Sequence, residues 1–361
     1  MQASKLASDP DKQIQMPFGP VVSTGPFFGQ VRCMTTTGCD TLVSLAQELL
    51  QRGRAADAIA TLLRAAGTGD KDAWYELGLW RLIGHPTPRD LPAAREALSR
   101  AAQGGHADAM MMTIALTANG SGGKVDWAGA LTLLREAAFR NAHAAAILKL
   151  VEANQLTADG YPCHRLERKQ LNASGSIHYI PNFLSPAECD HIARAGADLL
   201  EPALVVDPIS GRNIPHPIRT SDVAAIGPVR EDLAIRSINL RIAQETNTSV
   251  NQGESLTLLR YQSGQQFRLH LDAIPAARNQ RIYTVVLYLN QGFSGGETQF
   301  PDYNLKITPH RGGALIFRNV LEDGRPDPMA RHAGLPVVQG TKWIATRWIR
   351  ARTFNPWENP E

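Results

Sequence analysis

The sequence predicts an α+β chain of two domains, an α-helical repeat followed by a β-sandwich or barrel. Three observations predict it. The chain has 361 residues, more than one ordinary domain holds. Residues 41–155 are rich in Ala and Leu and repeat with a fixed period. Residues 165–356 change to short runs of β-branched and aromatic residues broken by Gly and Pro.

Residues 1–40 are rich in Gly, Pro, Ser and Thr without sustained periodicity, and read as a flexible N-terminal arm. Phe18, Phe27 and Phe28 leave room for packing on a neighbour. In residues 41–155, Ala65-Ala66, Ala101-Ala102 and Ala137-Ala138 recur every 36 residues. Leu62, Leu98 and Leu134 keep that interval, as do Ala73, Ala109 and Ala145. Each unit reads as helix, short turn, helix. Alanines let paired helices approach, leucines fill the seam, and one pair cannot bury its apolar face alone, so units stack into a short solenoid. The segments AREALSRAAQGGHADAM and GALTLLREAAFRNAHAAA resemble the Sel-one-like repeats, relatives of the tetratricopeptide repeat. That resemblance implies either a protein-binding role or a helical buttress for the second domain.

The connector runs through Gly160 and Pro162. Beyond it, SIHYI, SLTLLRY, IYTVVLYLN, GALIFRN and KWIATRWIR read as strands. One helix starts at a Ser185/Glu188 capping box and runs toward Leu200. Another follows Pro228 toward Glu245. Both are expected to cover one sheet face. SGGETQF, with Gly295 and Gly296, reads as a structural hairpin turn.

Bulk properties exclude several function classes. Hydrophobic residues make up 43% of the chain and the formal charge is +3, spread along it. No run of about 18 apolar residues reads as a membrane helix. No basic segment leads into an apolar run at the start, so no secretory signal is expected. No basic patch points to nucleic acid. Cys33, Cys39, Cys163 and Cys189 form no C-x-x-C pair and read as free thiols in a reducing compartment, the cytoplasm.

The chemistry concentrates in RYQSGQQFRLHLD. Residues i and i+2 of a strand share a face, so His270 and Asp272 can grip one cation. His332 follows 60 residues after Asp272. Two imidazoles and one carboxylate are the ligand set for Fe(II) with open positions, whereas structural zinc is closed in a tetrahedral shell. Lys342 stands ten residues after His332, and a buried cation there can pair with a carboxylate.

In order, RYQSGQQFRLHLD, NQRIYTVVLYLN, GGETQFP, ITPHRGGALIFRN and RHAGLPVVQGTKWIATRWIR resemble the catalytic domain of the prolyl 4-hydroxylase group of 2-oxoglutarate dioxygenases. The resemblance implies a double-stranded β-helix, or jelly roll, with Fe(II), 2-oxoglutarate and O₂ as reactants and ascorbate as a further expected cofactor. It implies His270, Asp272 and His332 as catalytic iron ligands and Lys342 as the anchor of the far carboxylate of 2-oxoglutarate. It places Tyr261, Thr284 and Tyr288 at the co-substrate pocket, and Arg219 and Trp348 on the substrate side. Each aromatic reads equally as barrel core, and Arg219 equally as a surface residue. The presence of Asp272 argues for hydroxylation, since related halogenases lack this carboxylate. Two substrates stay open: a Pro-containing peptide or protein, or a free or carrier-bound proline-like amino acid. A non-enzymatic scaffold acting through the repeats is the rival of another class. No nucleic-acid or membrane partner is expected.

Overall fold

In the computed structural model, the described residues are 41–206, 213–216 and 218–358. The expected arm therefore lies outside them, with Cys33 and Cys39. The N-terminal half is helical: α1 (Leu42–Gln51), α2 (Ala55–Gly67), α3 (Lys71–Ile83), α4 (Leu91–Gln103), α5 (Ala107–Asn119), α6 (Trp127–Ala138) and α7 (Ala142–Glu152). Side-chain caps start most of them: Asp70 accepts from Asp72 and Ala73 N–H, Asp90 from Ala93, and Asn141 from His143 and Ala144. Leu62, Leu98 and Leu134 are fully buried, as are Ala65, Ala101, Ala73 and Ala109.

The third unit breaks the period. Ala145 is exposed, and Ala144 fills the place of Ala73 and Ala109. The cause is the turn. Ala102 is followed by Gln103, Gly104 and Gly105 before the cap at His106, whereas Ala138 is followed by Phe139 and Arg140 alone before the cap at Asn141. One residue fewer rotates the last helix so that the preceding alanine faces inward.

Among its described residues, the C-terminal half carries α8 (Pro186–Ala197) and α9 (Leu233–Thr246) with sixteen strands. These are β1 (Lys169–Gln170), β2 (Ile177–Ile180), β3 (Glu201–Pro202), β4 (Leu204–Val206), β5 (Asn213–Pro215), β6 (Asp222–Ile226), β7 (Leu256–Tyr261) and β8 (Phe267–His270). Next come β9 (Arg281–Tyr288), β10 (Ser294–Gly295), β11 (Thr298–Phe300), β12 (Leu305–Ile307), β13 (Ala314–Arg318), β14 (His332–Gly334), β15 (Val337–Gln339) and β16 (Lys342–Arg350). The large sheet runs β1-β2-β13-β9-β16-β7-β6-β3, and the small sheet β12-β11-β14-β8. Both are antiparallel, and the two sheets pack as a jelly roll. Side chains alternate along each central strand. Leu259, Tyr261, Val286, Tyr288 and Ile344 point into the space shared with Phe300 and Ile307 of the small sheet. Leu258, Val285, Leu287 and Ala345 point the other way, onto Cys189 and Ile192 of α8 and Ile235, Ile238 and Ile242 of α9. The expected capping box at Ser185 is present, with reciprocal bonds to Glu188.

The halves share a core. Leu233, Ala234, Leu240 and Ala243 of α9 pack with Trp127, Leu134 and Ile147 of the repeats. A buried polar knot lies beside it: Arg241 Nη2 donates to Glu188 Oε1 at 2.8 Å and to Asn154 Oδ1 at 2.8 Å. Among the described residues, no helix is long and apolar enough to cross a membrane.

The expected SGGETQF hairpin does not form. Gly295 and Gly296 do take positive φ, 72° and 70°, yet Ser294–Gly295 pairs with β15 while Thr298–Phe300 joins the small sheet. The turn carries the chain from one pairing to another because a backbone reversal there leads into a different sheet.

Candidate metal centre

His270 ends β8 and His332 begins β14, and the two face each other across that antiparallel pair. Asp272 lies two residues beyond His270, past the strand end. The ligand atoms of all three lie within 4.8 Å of one another. The Asp272 carboxylate stands between the rings, Oδ1 at 3.5 Å from His270 Nε2 and Oδ2 at 3.6 Å from His332 Nε2.

Surroundings set the orientation of each group. His270 Nδ1 bonds the Arg268 carbonyl at 2.7 Å, and His332 Nδ1 the Ala330 carbonyl at 3.1 Å. An Nδ1–H committed to a carbonyl leaves Nε2 with its lone pair free for a metal. Phe267 stacks on His270 with ring centroids 3.4 Å apart, and Phe317 meets His332 edge-on at 4.6 Å. Thr284 Oγ1 donates to Asp272 Oδ2 at 2.6 Å and accepts from Asn319 Nδ2 at 2.9 Å.

The electrostatics favour a charged carboxylate on Asp272 and a neutral imidazole on His332. Burial alone would raise the Asp272 carboxyl, but the neighbouring His332, His270 and Arg281 hold it well below the usual carboxylate range. Burial, then the charge of His270, pushes His332 down to about 4. Two imidazole nitrogens and one carboxylate converging in a buried site fit Fe(II) with open coordination positions.

Lys342, first residue of β16, points into the same pocket. It is 3% exposed and donates to the Gly296 carbonyl at 2.7 Å. Burial lowers its amine to about 8, partly opposed by Glu297. Its Nζ lies 5.3 Å from the Tyr261 ring centroid. Tyr261, Thr284 and Trp348 line the pocket with the triad. Tyr288 is fully buried, its hydroxyl 2.8 Å from Thr298 Oγ1. Arg219 is 3% exposed, with its guanidinium over Phe267 at 5.3 Å, and its Nε has no partner among the described residues. It is therefore no surface arginine.

Sequence reasoning passed over Phe267, Asn319 and Gly296. Phe267 sits three residues before His270, a spacing that period-2 alternation assigns to the opposite face. Asn319 is 35 residues from Thr284, and no local pattern joins them. Gly296 was visible as a turn glycine, but its carbonyl's contact with Lys342 spans 46 residues.

Comparison with known proteins agrees with this geometry. Residues 256–350 match the family described as the 2OG-Fe(II) oxygenase superfamily. Prolyl 4-hydroxylase 2 of Arabidopsis thaliana is 31% identical over 213 residues, 52% of this chain and 71% of the relative. The viral collagen prolyl hydroxylase of Paramecium Bursaria Chlorella virus-1 is similar at 28% identity with a TM-score of 0.40, over 49% of this chain and 97% of that one. A Sel1 repeat protein from Oxalobacter formigenes is similar at 25% identity with a TM-score of 0.28, over 30% of this chain and 85% of that one. A buried His-Asp-His cluster inside a jelly roll, in a chain this similar to a prolyl 4-hydroxylase, has one reading: the chain belongs to the 2OG-Fe(II) oxygenase superfamily, in its prolyl 4-hydroxylase group, and is an Fe(II)- and 2-oxoglutarate-dependent hydroxylase.

Proposed function

We propose that this enzyme hydroxylates proline within a peptide, with His270, Asp272 and His332 holding Fe(II) and Lys342 anchoring 2-oxoglutarate. The observation that carries the assignment is the convergence of three donor side chains within 4.8 Å in a pocket that also contains a buried ammonium. Iron and 2-oxoglutarate, when bound, supply the activation of O₂ that lets oxygen enter an unactivated C–H bond. The chain's residues position and exclude water. Asp272 stays ionised, the Nδ1–carbonyl bonds fix both rings, and Thr284 with Asn319 holds the carboxylate in one orientation. Lys342 presents a charged amine where a second carboxylate would end. Tyr261 walls that end.

A peptide is favoured over a free amino acid by two buried donors without partners. Trp348 Nε1, in the pocket, and Arg219 Nε, beside Phe267, lack acceptors among the described residues. Backbone carbonyls of an extended peptide would satisfy both. The Arabidopsis relative is named for prolyl hydroxylation, which supports proline as the residue modified. The helical repeats act on this reading as a buttress, since they share a core with α9.

The test incubates the full chain with Fe(II), 2-oxoglutarate and either Pro-containing peptides or free L-proline and L-pipecolate. Succinate release and a mass gain of one oxygen are the readouts. Peptide hydroxylation is expected, lost in Asp272→Ala. Turnover of the free amino acids alone would overturn the substrate, and full activity in Asp272→Ala the metal site.

A further inference from the structure

The repeats and the jelly roll line a second, half-open cavity of about 360 Å³. Its walls are Leu91 and Asn119–Gly122 of the repeats, α9 with Val250–Ser255 of the other half, and the tail Thr353–Trp357. The tail is strapped across the joint. Trp357 Nε1 donates to Ser121 Oγ at 2.9 Å, Phe354 N to the Asn251 carbonyl at 2.8 Å, and Arg89 to the Trp357 carbonyl. At roughly 30 Å³ per water, the space suits one small organic molecule or about a dozen waters.

The lining carries a loosely paired cation and anion. Arg236 and Glu231 are buried, yet their closest approach is 3.4 Å, longer than a closed charge-assisted bond. That contact is the only hydrogen bond of the Arg236 guanidinium among the described residues, on a group with several donors. Asn239 is 2% exposed, and its Nδ2 is fixed on Glu231 Oε1 at 2.6 Å. Its Oδ1 is buried and has no donor among the described residues, so Asn239 serves to hold the Glu231 carboxylate in place. Arg347, by contrast, is committed to three backbone carbonyls, those of Glu254, Asn239 and Val250. An apolar edge of Leu91, Pro228, Phe354 and Trp357 completes the cavity.

We propose that this cavity is a second binding site, for a free α-amino acid with an apolar side chain. The carboxylate meets the open donors of Arg236. The ammonium meets the Glu231 carboxylate, which Asn239 holds in place. The side chain lies against the apolar edge. A simple anion would lie against the Glu231 carboxylate, and a simple cation would leave the guanidinium unmatched, which is why a molecule bearing both charges fits best. The site backs onto the oxygenase pocket, because Arg347 and Trp348 are neighbours on β16 that point to opposite faces of the sheet.

The test is calorimetric titration of the full chain with L-leucine and L-phenylalanine. Phenylpropionate, which lacks the ammonium, and L-phenylalaninamide, which lacks the carboxylate, are the matched probes. Saturable binding of at least one amino acid is expected, with each matched probe weaker by about tenfold or more. Arg236→Gln and Asn239→Leu should each weaken binding by a similar factor, while His332→Ala leaves it unchanged. Retained binding of 2-oxoglutarate with Fe(II) shows that Arg236→Gln, Asn239→Leu and Trp357→Ala are folded, and an unchanged circular dichroism spectrum shows it for His332→Ala. Trp357→Ala, at the partly exposed roof, should weaken binding without touching the core. The proposal is overturned if neither amino acid binds, if the matched probes bind as well, if Arg236→Gln, Asn239→Leu and Trp357→Ala bind like the parent, or if His332→Ala abolishes binding, which would assign the ligand to the iron pocket.

Discussion

Replacing Lys342 by Met keeps the length of the stem and removes only the charge. The Lys342 amine is 3% exposed and held 2.7 Å from the Gly296 carbonyl, so a carboxylate reaching it is paired out of water. Deleting one partner of such a desolvated pair costs about 2–5 kcal/mol, which at 1.4 kcal/mol per factor of ten raises the KM for 2-oxoglutarate by about 30-fold to a few thousandfold. The loss is one of uniform binding, so kcat at saturation should fall much less than kcat/KM. The assay is succinate formation against 2-oxoglutarate concentration at several pH values. Burial lowers the free amine to about 8. Below that value it is charged, and the proposed anchoring should be in force. As pH rises through it the proton leaves, and the parent's KM should climb while the variant's stays flat. A change in KM below about fivefold, the most an exposed ion pair gives, would refute the anchoring role.

Thr284→Val removes the 2.6 Å bond to Asp272 without changing shape, and should weaken Fe(II) affinity by about 10- to 100-fold, read by titrating iron into the succinate assay. Thr284→Ser should restore most of it. Arg241→Met leaves Glu188, 3% exposed, without its cation, and should destabilise the fold by about 3–5 kcal/mol in denaturant unfolding. Adding Glu188→Gln should recover part of that loss. Burial pushes the Glu188 carboxyl up, but Arg241 and the Ser185 cap bring it below its ordinary value. Its contribution is therefore present above the ordinary carboxylate range and lost as pH falls through the folded value. The parent should lose stability in acid along that course, and Arg241→Met should not.

The parts legible in the sequence were those with a period or a long run of one composition. Runs of β-branched and aromatic residues marked IYTVVLYLN and KWIATRWIR as strands, and the 36-residue spacing marked the helix pairs. The small sheet was not legible, because β11, β12 and β14 are three residues each, too short for alternation to register. That sheet brings His332 opposite His270, so composition and spacing offered the residues but not their meeting. The order of motifs supplied that. Tyr288 and Thr284 were expected at the co-substrate pocket. In the fold Thr284 bonds Asp272 and Tyr288 bonds Thr298, contacts set by sheet register rather than by neighbours in the chain.

Helix α9 has no solvent side to speak of: thirteen of its fourteen residues are buried. Ile235, Ile238 and Ile242 belong to one core, and Leu233, Leu240 and Ala243 to another. Cutting the chain at the connector would strip one flank of this helix bare and hand water a row of leucines and alanines. The oxygenase half and its helical companion thus lean on one shared helix, and a shove delivered to the repeats reaches the sheet beneath the iron pocket chiefly along it.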